Sequence, residues 1–124
     1  MNHNSTNRTL APCIHKDVQR SGSLKLRWSE KRNRWECDDV YFWQDPKANW
    51  SCRSKSGKHY YGFRSLQALL KSYMAGKLGE KYGCTGIKNV RANYHFTQNP
   101  KTLVCHVTLC CTYLVPPHVT EEYE

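Results

Sequence analysis

The sequence predicts an α+β fold: an antiparallel sheet with one main helix packed on one face. Three observations carry this. Several segments alternate apolar and polar residues with period two. One segment, over residues 65–78, repeats its apolar residues at helical spacing. The predicted elements follow the order hairpin, short strands, helix, hairpin, which is the block arrangement of α+β folds rather than a β-α-β alternation.

Taken in order, residues 1–22 read as an extended, weakly ordered leader rich in Asn, Ser and Thr, ending in Ser21-Gly22-Ser23. Residues 23–29 set Leu24, Leu26 and Trp28 against Lys25, Arg27 and Ser29, a strand with one buried face. Residues 30–34 form a charged loop. Residues 35–44, rich in Val, Tyr, Phe and Trp, form a second strand that carries Asp38 and Asp39 on opposite faces. The two strands make a hairpin with Lys31, Arg32 and Arg34 at its tip. Asp45-Pro46 breaks it.

Short strands are expected at residues 50–53 and, after the Ser56-Gly57 turn, at 59–63. The helix follows. Ser65 is its N-cap, and Leu66, Leu69, Leu70, Tyr73, Met74 and Leu78 form its apolar stripe. Gly76 and Gly79 read as helix-stop signals. Residues 90–97 and 102–115 form a second hairpin turned at Gln98-Asn99-Pro100, its last strand well buried. Pro116-Pro117 ends it. The expected organisation is a leader at 1–22, one domain at 23–116 and an acidic tail at 117–124.

Composition limits the function classes. The chain has 124 residues, 12% of them aromatic. Disordered chains are poor in aromatic residues, so most of this one folds. No apolar run approaches the ~18–20 residues of a membrane-spanning helix. The net charge is +9 and unevenly placed: residues 46–101 hold eleven Lys and Arg but only one acid, Glu80. A basic block in a small domain fits a polyanion: nucleic acid, an anionic membrane surface or an acidic protein. The seven cysteines are odd in number and irregularly spaced. With no apolar leader segment, they read as mostly buried, inert thiols of a nuclear or cytoplasmic protein. Sequons at Asn4, Asn7 and Asn49 keep secretion as the alternative.

Catalysis finds little support. No G-x-S-x-G, H-E-x-x-H or Gly-rich phosphate loop is present, so no enzyme activity is expected. Zinc needs four N/S ligands, usually as two close pairs. His95, Cys105, His106 and Cys110 are the nearest set, without C-x₂-C or H-x₃₋₅-H spacing. No cofactor is therefore expected, with structural zinc as the alternative. Nucleic acid has the strongest physical case. Lys and Arg meet phosphates, and Arg reads base edges. Arg32, Arg34, Arg53, Lys55, Lys58, Arg64 and Lys71 supply the charge. Tyr41, Trp43, Trp50, Tyr60 and Tyr61 are candidates for stacking on unpaired bases. Trp28, Trp35 and Tyr73 are expected in the core.

One family resemblance rests on Asp39-Val40-Tyr41, Ser56-Gly57-Lys58, Phe63-Arg64-Ser65, Leu69 and Tyr73. These motifs, over about residues 39–73, resemble the methyl-CpG-binding-domain family, a small sheet-plus-helix DNA-binding module. About nine extra residues separate Pro46 from Ser56, and the C-terminal hairpin has no counterpart. The resemblance implies that Arg64 reads guanine, that Asp39 orients a second arginine or meets the methyl groups, and that Tyr41 lies beside them. Arg32 and Arg34 both fit the second arginine. The resulting expectation is a non-enzymatic nucleic-acid-binding domain, for duplex DNA before other forms. The alternative is a protein-interaction module that meets an acidic partner.

Overall fold

A computed structural model describes residues 14–115. Most of them form one antiparallel sheet: β1 (Ile14–Ser29), β2 (Arg34–Glu36), β3 (Val40–Gln44), β4 (Trp50–Ser54), β5 (His59–Phe63), β6 (Gly86–Gln98) and β7 (Lys101–Val115). The helix α1 (Leu66–Tyr82) packs on one face. The α+β class follows from the sequence as expected. The strand order is β5-β4-β3-β2-β1-β7-β6, so β5 and β6 are the edges.

The core is the seam between helix and sheet. Leu66, Leu69, Leu70, Tyr73, Met74 and Leu78 of α1 are buried against Leu24, Leu26, Trp35, Val40, Phe42, Cys52, Leu103, Cys105, Val107, Leu109 and Cys111. Phe42 and Tyr73 meet edge to face at 5.5 Å. Removing this much apolar surface from water is the main stabilising term, roughly 1.5–3 kcal/mol for each large side chain. Trp35 and Tyr73 are core residues, and Trp28 is half-buried with its ring 5.3 Å from that of Trp35.

The structure changes several boundaries. β1 starts at Ile14, so residues 14–22 are not leader but strand, paired with β7 from Ile14↔Val115 to Arg27↔Thr102. The remainder of the expected leader and the acidic tail at 117–124 lie outside the described residues. The expected strand over 35–44 is two strands. Cys37 donates its N–H to the Val40 carbonyl at 3.0 Å, and the chain bends there. Asp38 and Asp39 therefore sit in the bend, not on opposite faces of a strand.

The helix does not stop at Gly76 or Gly79. It runs to Tyr82 and ends at Gly83, whose φ of 63° is the left-handed conformation that glycine adopts freely. Cys84 N–H then reaches the Gly79 carbonyl at 3.0 Å. Gly76 and Gly79 are instead points of close approach. A Cβ on Gly76 would lie 2.8 Å from the Tyr60 hydroxyl, and one on Gly79 would lie 2.6 Å from Ile87 Cδ1. At the other end Ser65 caps the helix as expected, its Oγ accepting from Ala68 N–H at 3.1 Å. Among the described residues no helix is long and apolar enough to cross a membrane.

Candidate nucleic-acid interface

Strand alternation decides which side chains are free to meet a ligand. In β3, Val40 and Phe42 turn to the helix and are buried, so Tyr41 and Trp43 stand on the opposite, outer face. In β4, Cys52 faces inward and its neighbour Arg53 outward. In β5, Tyr60 packs on Tyr73 with ring centroids 6.1 Å apart, which leaves His59 and Tyr61 outward. Of the five aromatic candidates from sequence, Tyr41, Trp43 and Tyr61 are outside. Trp50 and Tyr60 pack on the core.

The outward rings form one row. Tyr41 and Trp43 are 5.4 Å apart, Trp43 and His59 6.0 Å, and His59 and Tyr61 5.2 Å. Trp43 and His59 belong to β3 and β5, with β4 between them. They meet on a diagonal: the β4 residue in register with Trp43 is the small Ser51, buried at 4% exposure, and the one in register with His59 is Arg53. Arg34 closes one end of the row: its guanidinium carbon lies 3.8 Å from the Tyr41 ring centre. Tyr61 at the other end is 73% exposed.

An open hollow of about 440 Å³ lies against this row. Arg32, Asn33, Arg34, Tyr41, Trp43, Gln44, Arg53 and His59 line it, without a carboxylate. Glu36 stands just outside and takes Arg32 at 3.5 Å and Arg34 at 2.8 Å. The hydrogen bond from Arg34 holds the Glu36 carboxyl below its usual pKa, with the Coulomb fields of Arg34 and Arg32 adding to it. Among the described residues Arg53 has no ion-pair partner. It lies between the two halves of the row, in register with Tyr41 on one side and His59 on the other.

The structure thus divides the residues chosen from sequence. Arg32, Arg34, Tyr41 and Arg53 come together on the outer face. Lys55 does not line that hollow; it lines two neighbouring ones, beside Asp39 and Glu80 in the first and Glu36, Asp38 and Asp39 in the second. Asp39 turns towards the helix, 3.8 Å from Lys77. Lys58 is ion-paired to Glu80, whose hydrogen bond raises its pKa. Arg64 follows β5 immediately before the helix cap. Lys71 is on the exposed side of α1, on the far side of the molecule from Tyr41. Sequence reasoning did not place His59, Asn33 or Gln44 in this site. The period-two pair His59 and Tyr61 was the available signal for the first.

The zinc set is also divided. Cys105 is fully buried on the helix side, whereas its neighbour His106 is exposed and lies 2.7 Å, Nδ1 to Oγ, from Ser23. Cys110 alternates with the inward Leu109 and Cys111. His95 is exposed on β6. Among the described residues no three His, Cys, Asp or Glu side chains gather to hold a metal ion. The thiols differ from the inert set expected: Cys84 and Cys111 form a disulfide that ties the end of α1 to β7. Cys52 and Cys105 are buried, and Cys37 and Cys110 half-buried. Comparison with family models, with curated proteins and with solved structures gives no match to this chain.

Proposed function

We propose that this chain binds nucleic acid, without catalysis, through the outer face of β2–β5. One observation carries the reading. Three arginines and a histidine share a hollow with two aromatic rings and no carboxylate. Phosphate neutralisation needs cations that are not already neutralised. Arg53 and Lys55 meet that condition among the described residues, whereas Arg32 and Arg34 share Glu36, and Lys58 and Lys77 are ion-paired to Glu80 and Asp39. Asn33 and Gln44 add amide groups that can pair with base edges.

The duplex form of this reading uses the β1–β2 ribbon, whose connection carries Lys31 and Arg32 and leads into Arg34. A two-stranded ribbon of this width fits the major groove. A methyl-CpG-type reading would add Arg64 as the guanine contact. The competing reading is a protein surface, in which exposed Tyr61 and the partly exposed Trp43 and Arg34 act as hot spots for an acidic partner. The test is fluorescence anisotropy of labelled oligonucleotides at about 50 and about 200 mM salt. Tight binding that weakens steeply with salt, and is lost in Arg53→Gln with Lys55→Gln, supports the reading. No binding at the lower salt overturns it in favour of the protein partner.

A further inference from the structure

We propose that the row Tyr41–Trp43–His59–Tyr61 is a stacking platform that takes unpaired bases, so that the ligand is single-stranded nucleic acid. This rests on the nucleic-acid reading above and names its ligand class.

Three features of the row favour it. First, Tyr61 leaves a large ring 73% exposed, with His59 as its ring partner. Such a ring carries unused flat surface at the end of the row. Second, the rings are spread over β3 and β5 at centroid spacings of 5.2–6.0 Å, as neighbours along a track rather than a single pocket. A track suits a strand whose successive bases lie splayed across a sheet. Every base has a π-face, so such a track is sequence-tolerant. Third, the charge follows the rings. Arg53 lies between Tyr41 and His59 in register, and Arg32 and Arg34 stand at the Tyr41 end. Phosphates accompany the bases of a strand, and here cations stand at one end of the row and beside its middle.

A duplex uses this face poorly. Its bases are already stacked and present only their edges, so flat rings gain no stacking contact unless the strands part. Lys71 and Lys81 are exposed on the helix, which packs on the face of the sheet opposite to the outer arginines.

The test titrates three probes into the full chain by anisotropy: a labelled thymidine 12-mer, a mixed-sequence duplex of the same length, and a labelled heparin oligosaccharide. The variants are Tyr61→Ala, Trp43→Ala, Arg53→Gln and, as control, Lys71→Gln. Tyr61 is so exposed that its replacement leaves the core intact, and circular dichroism checks each fold. The expected result is tighter binding of the single strand than of the duplex. Each ring variant should weaken single-strand binding about 5- to 150-fold, the range for loss of one base stack. Each should leave duplex binding unchanged, and Lys71→Gln should change neither. If Arg53→Gln weakens both nucleic acids while the ring variants weaken neither, the stacking proposal falls and the nucleic-acid reading stands. Equal loss on strand and duplex in Tyr61→Ala also overturns stacking. If heparin binds more tightly than either nucleic acid, or if nothing binds, both readings fall together.

Discussion

Arg34 is held between two neighbours: its guanidinium carbon lies 3.8 Å from the centre of the Tyr41 ring, and its Nε–H donates to Glu36 Oε2 at 2.8 Å. That arrangement fixes the plane of the guanidinium and leaves its terminal nitrogens for a ligand. An ordered arginine loses less freedom on meeting a phosphate than a lysine does. Arg34→Ala should therefore weaken binding of any strand, with a smaller change of salt slope than Arg53→Gln, because Glu36 already neutralises Arg34. Arg34→Lys should restore the slope but not the affinity, because the compact ammonium does not reproduce the planar stack on Tyr41. Anisotropy titrations at four salt concentrations measure both quantities. Full recovery by lysine would show that charge alone matters at this position.

Lysine count and lysine availability separate in this protein. Lys58 is ion-paired to Glu80, while Arg53 has no carboxylate partner among the described residues. Arg53→Gln should weaken binding and lower the salt slope by about one. Lys58→Gln should leave both nearly unchanged and cost little stability, since an exposed pair of this kind contributes about 0–1 kcal/mol. A larger effect on binding at Lys58 than at Arg53 would move the interface to the groove beside α1.

How much of this was legible depended on whether a strand's inward positions were all apolar. In β3 the alternation Val40, Tyr41, Phe42, Trp43 can be read directly, and it predicts the outer face. In the first half of β1 the more covered positions are Val18, Arg20 and Gly22. An arginine and a glycine hide the period. Arg20 is accommodated because its guanidinium carbon lies 4.4 Å from the centre of the Tyr82 ring at the end of α1. Neither that contact nor the long pairing with β7 has a local signal. The row of rings was half legible. Tyr41 and Trp43 share a face by period, but the meeting of Trp43 with His59 depends on β4 lying between β3 and β5.

Gly22 illustrates the same point as a packing constraint. A Cβ there would sit 2.9 Å from Leu78 Cδ2, and Leu78 is buried with nowhere to retreat. Gly22→Ala should destabilise the fold by about 1–3 kcal/mol through overpacking. Gly79→Ala presents a nominally closer contact, 2.6 Å to Ile87 Cδ1, but Ile87 is an exposed side chain whose tip can turn away. The helix gains about 1 kcal/mol from replacing an interior glycine by alanine. Gly79→Ala should therefore be neutral or stabilising. Urea unfolding midpoints of the two variants decide it, and the reverse order would mean that the β1–α1 contact is looser than the β6–α1 contact.

The cysteines give a pH dependence with a definite sign. Cys52 and Cys105 are fully buried, and loss of water around the thiolate pushes each thiol up to about 11 from 9.0. The folded state therefore keeps these protons while the unfolded chain begins to release them. Stability should be unaffected by the two thiols below about pH 9 and should fall as pH rises from there towards about 11. Tyr73, pushed up by burial to about 12, acts in the same direction at still higher pH. The same burial orders the chemistry of the described thiols. Half-buried Cys37 and Cys110 should react with an aromatic disulfide reagent in the native protein, and Cys52 and Cys105 only after unfolding. Breaking the Cys84–Cys111 bond, which closes a loop of sequence separation 27, should lower stability by about 2–4 kcal/mol. Melting under reducing conditions at pH 8 and pH 10, for the parent and for Cys52→Ala, isolates the thiol contribution from disulfide exchange. The loss of Tm between the two pH values should be smaller in the variant. An equal loss in both would mean that Cys52 ionises alike in the folded and unfolded chains.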